Sequence, residues 1–155
     1  MPEKMELDRV LTPQRVLILD SETKNETLAA LIDCLGSAPE VKDRQALAQA
    51  ILYREGLMST GIGMGIGVPH VRLASVTRPV MSAGLARNPI TDYQSLDGVP
   101  IHLIFMIAAG QNQHAEYLRL LSSLSLKLKS EKLRNSLISA PDTQTFYQIL
   151  THQEK

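Results

Sequence analysis

The sequence predicts an α/β fold: a single domain with a mixed β-sheet of about five strands covered by helices on its faces. Three observations carry this expectation. Short apolar runs fit strands at Val16 to Leu19, Val80 to Leu85 and Ile101 to Ala108, the last so continuously apolar that it suits the middle of a covered sheet. Apolar residues at helical spacing fill the stretches between and after them, giving an order close to βααβββααα. At 155 residues the chain is the length of one core, and no repeat, low-complexity tract or long linker divides it, so residues 1–155 read as one domain.

The first strand is bounded by Pro13 and Asp20. From Lys24, the positions Leu28, Leu31, Ile32 and Leu35 follow a helical stripe, with Gly36 at the stop. A second helix starts after the N-cap Asp43, runs through Leu47, Ile51 and Leu52, and ends by Gly56, which delivers Arg54 to a helix C-terminus. The run NPITDYQSLDGVP, with Asp92 and Asp97, is dense in turn formers and lacks the spacing of a calcium loop. Leu118, Leu121, Leu124 and Leu128 mark a long amphipathic helix from about His114 to Lys129. Two shorter helices follow, at Glu131 to Ser139 and after Asp142 or Thr143, with His152 in a frayed tail.

Charge excludes several functions. Sixteen basic and sixteen acidic residues cancel, without a Lys/Arg block, so neither nucleic acid nor an anionic lipid surface is an expected partner. The N-terminal MPEKMELDRV lacks a signal-peptide layout and no apolar run is long enough for a bilayer, so the expectation is a cytoplasmic chain without membrane insertion. Cys34 is the single cysteine and falls on an apolar helix stripe, where a core thiol is expected rather than a reactive one.

The informative stretch is Thr60 to His70, TGIGMGIGVPH. Its glycines miss the G-x-G-x-x-G spacing of dinucleotide folds, because Ile66, Val68 and His70 stand where the last glycine belongs, and no lysine completes a P-loop. What remains is an alternating strand. Ile62, Met64, Ile66 and Val68 are expected to face a core, the bare glycine face to give clearance to another backbone, a ligand or a partner, and Pro69 to end the ladder and aim His70.

Arg54-Glu55, Ser59-Thr60 and the glycine run ending in Pro69-His70 resemble the signature of the type-2 (fructose/mannitol and nitrogen-regulatory) IIA domains of the bacterial phosphoenolpyruvate:sugar phosphotransferase system. The resemblance covers nearly the whole chain. It implies that His70 is a phosphoryl acceptor, loaded by the phosphohistidine of HPr or its nitrogen-branch counterpart and, in transport systems, unloaded onto a cysteine of a IIB partner. No cofactor and no metal are implied. Imidazole suits such a relay, since with an unperturbed pKa near 6.5 a large neutral fraction exists around pH 7.

Arg54 is the candidate phosphoryl clamp through its guanidinium fork; the alternative is an arginine that only complements its helix dipole. Ser59 and Thr60 are candidate phosphate donors or simply turn caps. The resemblance also implies a second histidine at the start of the long helix, and alignment by leucines puts Tyr117 there, with His114 three residues earlier on the same face. His102 is expected to be a hydrogen-bonded strand residue. The leading function is thus a phosphocarrier, tilted toward regulation because no IIB or IIC segment accompanies the chain. Its rivals are a regulatory binding module that controls a kinase or transporter without phosphotransfer, and a small hydrolase or transferase working through His70 and His114.

Overall fold

In a computed structural model, residues 7–152 are described; part of the N-terminal segment read above, residues 1–6, lies outside them. Strand β1 (Val16–Leu19) is followed by helices α1 (Lys24–Gly36) and α2 (Arg44–Leu57). Next come β2 (Gly61–Gly63), β3 (Ile66–Gly67), β4 (His70–Leu73), β5 (Val80–Ile90) and β6 (Ile101–Gly110), then α3 (His114–Leu128), α4 (Glu131–Ile138) and α5 (Thr143–Thr151). The sheet has six strands in the order β1-β5-β6-β3-β2, with β4 also on β6. Pairing is mixed: β5 and β6 are antiparallel, whereas β1 on β5, and β3 and β4 on β6, are parallel.

Helix starts follow the expected capping chemistry. Thr23 and Glu26 form a reciprocal capping box ahead of α1, and Asp43 and Asp142 accept from Ala46 N and Thr145 N. One core lies between the sheet and α3 to α5, where Leu103, Phe105 and Ile107 meet Leu120, Leu124 and Phe146. The other lies under α1 and α2, where Ile104, Met106 and Ala108 meet Leu28, Leu31, Leu47 and Ile51. Successive β6 residues therefore serve opposite cores, as period-two alternation requires of a central strand.

Two expectations about the glycine run are corrected. It is not one alternating strand but a tight hairpin, β2 to β3, with Gly63 paired to Ile66 and positive φ at Met64 (58°) and Gly65 (76°). Two central residues with φ above zero make the turn that suits a twisted two-residue hairpin. The turn rotates the pattern, so Ile62 and Met64 are exposed while Ile66 and Val68 are buried. The bare glycine face is also already filled. A Cβ on Gly61 would stand 2.2 Å from the carbonyl oxygen of Gln94, and one on Gly67 would stand 2.8 Å from the Tyr93 ring. The clearance serves the chain's own 91–95 loop rather than an incoming partner.

Pro69 does not end the ladder either. It bridges β3 and β4, its carbonyl accepts from Ile107 N at 2.9 Å, and the chain continues beside β6 with His70 opposite Ile107. A missing N–H costs one rung there, and β4 resumes at once. The phase of α3 differs as well: Leu118 is exposed, and the inward stripe is Tyr117, Leu120, Leu124 and Leu128. His152 is not frayed, since it closes α5 and its carbonyl accepts from Lys127 Nζ at 2.6 Å.

The hairpin packing yields a paired expectation. Gly61→Ala should lower the free energy of unfolding by about 1–3 kcal/mol, because a methyl cannot share space with a backbone carbonyl. Gly56→Ala meets nothing within 4 Å and should raise it by about 0.5–1 kcal/mol through helix propensity. Urea unfolding of both variants against the parent checks the pair.

Candidate functional site

His70 opens β4 and is half-buried. Its Nδ1 lies 2.6 Å from the carbonyl oxygen of Val68. A carbonyl can only accept, so Nδ1 carries the proton and, in the neutral ring, the lone pair is on Nε2. The backbone of the strand break thus selects the tautomer.

Tyr117 faces that ring from α3, with centroids 5.7 Å apart and a tilt of 46°. The rotated phase of α3 brings it there. Burial pushes the Tyr117 hydroxyl up to about 12, against the opposing pull of the Arg72 and Arg54 charges, so the phenol keeps its proton as a donor. His114 is exposed at the first residue of α3. The structure therefore brings Tyr117, and not His114, into ring contact with His70. His102 sits on β6 with Nδ1 3.4 Å from Ala86 O.

Arg54 is half-buried in the last turn of α2, where Nη1 donates to Met58 O at 2.8 Å. That bond is the helix-end contact offered as the alternative to a clamp. It occupies one of five guanidinium donors, and the charge still reaches the Tyr117 hydroxyl.

Ser59 and Thr60 are spent inside the fold. Ser59 Oγ donates to Gln94 O at 2.6 Å. Thr60 is buried, its hydroxyl donates to Glu55 Oε1, and its N–H donates to Glu55 Oε2 at 3.2 Å. With both hydroxyl protons committed, the expectation that they serve phosphate gives way to a turn-holding role. Glu55 is the centre of that arrangement: Lys24 Nζ pairs with Oε2 at 2.7 Å, and the Tyr93 hydroxyl lies 2.6 Å from Thr60 Oγ1 and 3.4 Å from Oε1. Burial, and then the Glu55 charge, raise the Tyr93 hydroxyl far above the ordinary phenol range.

Asp97 fixes the hairpin tip, with Oδ2 accepting from Met64 N at 2.8 Å and Oδ1 from Val99 N at 3.1 Å. These backbone donors hold its carboxyl below the usual range. Asp92 Oδ1 accepts from Lys24 N at 2.7 Å. Both aspartates, read from the sequence as turn formers, thus tie their turn-rich loop to the start of α1 and to the hairpin tip. Cys34 is half-buried, and burial raises its thiol.

Sequence reasoning missed Arg72, whose guanidinium lies over the Tyr117 ring at 5.8 Å. It also assigned no role to Glu55 or Tyr93. Among the described residues, no group of three His, Cys, Asp or Glu is placed to hold a metal ion, and no helix is long and apolar enough to cross a membrane.

Residues 9–153 match the family described as phosphoenolpyruvate-dependent sugar phosphotransferase system, EIIA 2. The chain is 38% identical over 97% of its length to the fructose-specific EIIABC component of Bacillus subtilis, of which it spans 24%. It is 34% identical to the fructose-specific EIIA component of Haloferax volcanii, covering 90% of this chain and 92% of that one. The solved structure of nitrogen regulatory protein IIA-Ntr from Neisseria meningitidis superposes with a TM-score of 0.84 at 26% identity, over 92% of this chain and 97% of that chain.

The two raised phenols set an alkaline limit. From about pH 10 upward an unfolded tyrosine releases its proton, while Tyr117 and Tyr93 retain theirs in the fold. The unfolded state then binds fewer protons, so stability should fall as pH rises from about 10 to about 12. Phenolate absorbance and denaturant midpoints across that range check this, and Tyr93→Phe should flatten the slope.

Proposed function

We propose that this chain, which belongs to the phosphoenolpyruvate-dependent sugar phosphotransferase system EIIA 2 family, is a phosphocarrier that holds the phosphoryl group on Nε2 of His70. An HPr-like phosphocarrier protein loads it, and a IIB component or a regulatory target receives the group or the signal. The observation that carries this reading is the 2.6 Å contact of Nδ1 with Val68 O, which leaves Nε2 as the nucleophile.

The transfer needs no external base. The Nε2 lone pair forms the new N–P bond as the donor's N–P bond breaks, and that electron pair returns to the donor imidazole. The Nδ1 proton stays where it is, and its hydrogen bond to Val68 O supports the positive charge the ring acquires. Catalysis then reduces to positioning and charge stabilisation. Tyr117 offers a proton-bearing hydroxyl beside the ring, and Arg54 offers its uncommitted N–H groups to the phosphoryl oxygens.

Family membership supports a phosphotransferase-system component working stoichiometrically rather than a hydrolase of free metabolites. Whether the group serves transport or control divides along the relatives. The Bacillus subtilis protein joins A, B and C components under a fructose-specific name, whereas the Neisseria meningitidis structure is a nitrogen regulatory protein. Both uses belong in the cytoplasm, where the phosphoenolpyruvate relay operates.

Incubation with phosphoenolpyruvate, enzyme I and an HPr-type carrier should give one acid-labile, alkali-stable phosphoryl adduct per chain, absent in His70→Ala. Failure to label with HPr and with its nitrogen-branch counterpart leaves the binding-module reading in its place. Arg54→Ala should slow labelling by about 10- to 100-fold, the loss of a hydrogen bond to a charged group, with quench-flow kinetics as the measurement.

A further inference from the structure

We propose that Arg72 is a second phosphoryl-binding cation of the His70 site, held ready by the ring of Tyr117. The inference rests on His70 carrying the phosphoryl group. His70 and Arg72 are the first and third residues of β4, so alternation sends both side chains to one face of the sheet, with Cα atoms ~6.6 Å apart. The intervening Val71 is buried in the core on the opposite side, which fixes this phase.

One aromatic ring is shared by the two. Tyr117 lies 5.7 Å from the His70 ring and 5.8 Å from the Arg72 guanidinium carbon, centroid to group. Stacking over a ring orders a long side chain while leaving its N–H edge unused. Arg72 is exposed, and among the described residues no carboxylate pairs with it; the ion pairs there join Lys24 to Glu55, Arg44 to Asp33 and Arg119 to Glu116.

An unpaired guanidinium beside a group that will bring about two negative charges has a ready partner. On arrival of the phosphoryl group, Arg72 donates N–H bonds to its oxygens and keeps all its own protons; no bond of Arg72 forms or breaks. Arg54 approaches from the end of α2 and Arg72 from the strand, and both charges already act on the same Tyr117 hydroxyl. Tyr117 thus has two tasks, the ring as a platform for Arg72 and the hydroxyl as a neutral donor.

The test uses potassium phosphoramidate, a small phosphoryl donor, so that no partner protein is needed. The full chain and its Arg72→Ala, Arg72→Lys, Tyr117→Phe and His70→Ala variants are phosphorylated, and the phosphorus resonance is followed against pH. Removing a nearby cation should raise the titration midpoint of the phosphoryl group by about one unit in Arg72→Ala. Arg72→Lys should fall between, and Tyr117→Phe, which keeps the platform, should stay closer to the parent than Arg72→Ala does. Arg72 is exposed, so the thermal midpoint of Arg72→Ala should match the parent, separating a site effect from a folding one. An unchanged phosphoryl titration in Arg72→Ala overturns the assignment. Parent protein that phosphoramidate labels at His70 but no carrier protein labels refutes the relay and leaves the Arg72 assignment standing. A chain that phosphoramidate labels only elsewhere, with His70→Ala like the parent, overturns both.

Discussion

The site depends on one buried carboxylate. Glu55 lies at the end of α2, nearly enclosed, and its two oxygens gather Lys24 Nζ from the start of α1, the N–H and hydroxyl of Thr60 at the entry of the hairpin, and the Tyr93 hydroxyl from the 91–95 loop. A carboxylate removed from water costs several kcal/mol unless its lone pairs are met. Here every element that brackets the glycine hairpin supplies a donor, so the arrangement is stable only when all four are in register. Lys24 adds a second tie, with its ammonium 4.6 Å above the Tyr93 ring. Removing one donor would leave a charge short of partners, and for that reason the network acts as a single unit.

That network accounts for the glycines. Tyr93 can reach Thr60 and Glu55 only by crossing the hairpin face at Gly67, and the loop behind it crosses at Gly61, where even a methyl group would collide. Asp97 completes the enclosure by holding Met64 N, at a residue whose positive φ is unfavourable for any side chain. The hairpin is thereby pinned at its entry, its middle and its tip. It leads into β3 and the Val68–Pro69 break with little freedom, and the break is what presents the Val68 carbonyl to His70 Nδ1. A tautomer is selected at the end of a chain of contacts that begins at a glutamate.

Much of this fold was legible in the sequence because its signals are local. The capping residue Asp43, the stripes of α1 and the continuous apolar run of β6 each report on their own element, and each element stands where the pattern put it. The hairpin was not legible as such, because alternation at Gly61 to Val68 is also what a flat strand would show, and the deciding fact is a loop some thirty residues away. The role of Glu55 had a signal that went unused: it continues the buried stripe of Leu47 and Ile51 at four-residue spacing, and a charged residue on a core stripe must have partners. Arg72 had one too, since two residues on along a strand returns to the face of His70. The choice of Tyr117 over His114 for the ring contact needed the true phase of α3, which the exposed Leu118 had disguised.

The electrostatics around Tyr117 set what it can do beside His70, and how it differs from an imidazole. An imidazole there would share any incoming negative charge by becoming a cation, and its contribution would vary across neutral pH. Tyr117 is neutral far into the alkaline range and can only donate, so positive charge must come from elsewhere. Two arginines lie within electrostatic reach of that hydroxyl, one from a helix end and one from the strand. Positive charge beside His70 therefore comes from the neighbours of Tyr117 rather than from its ring. From neutral pH into the alkaline range, the hydroxyl beside His70 is thus a donor of fixed charge.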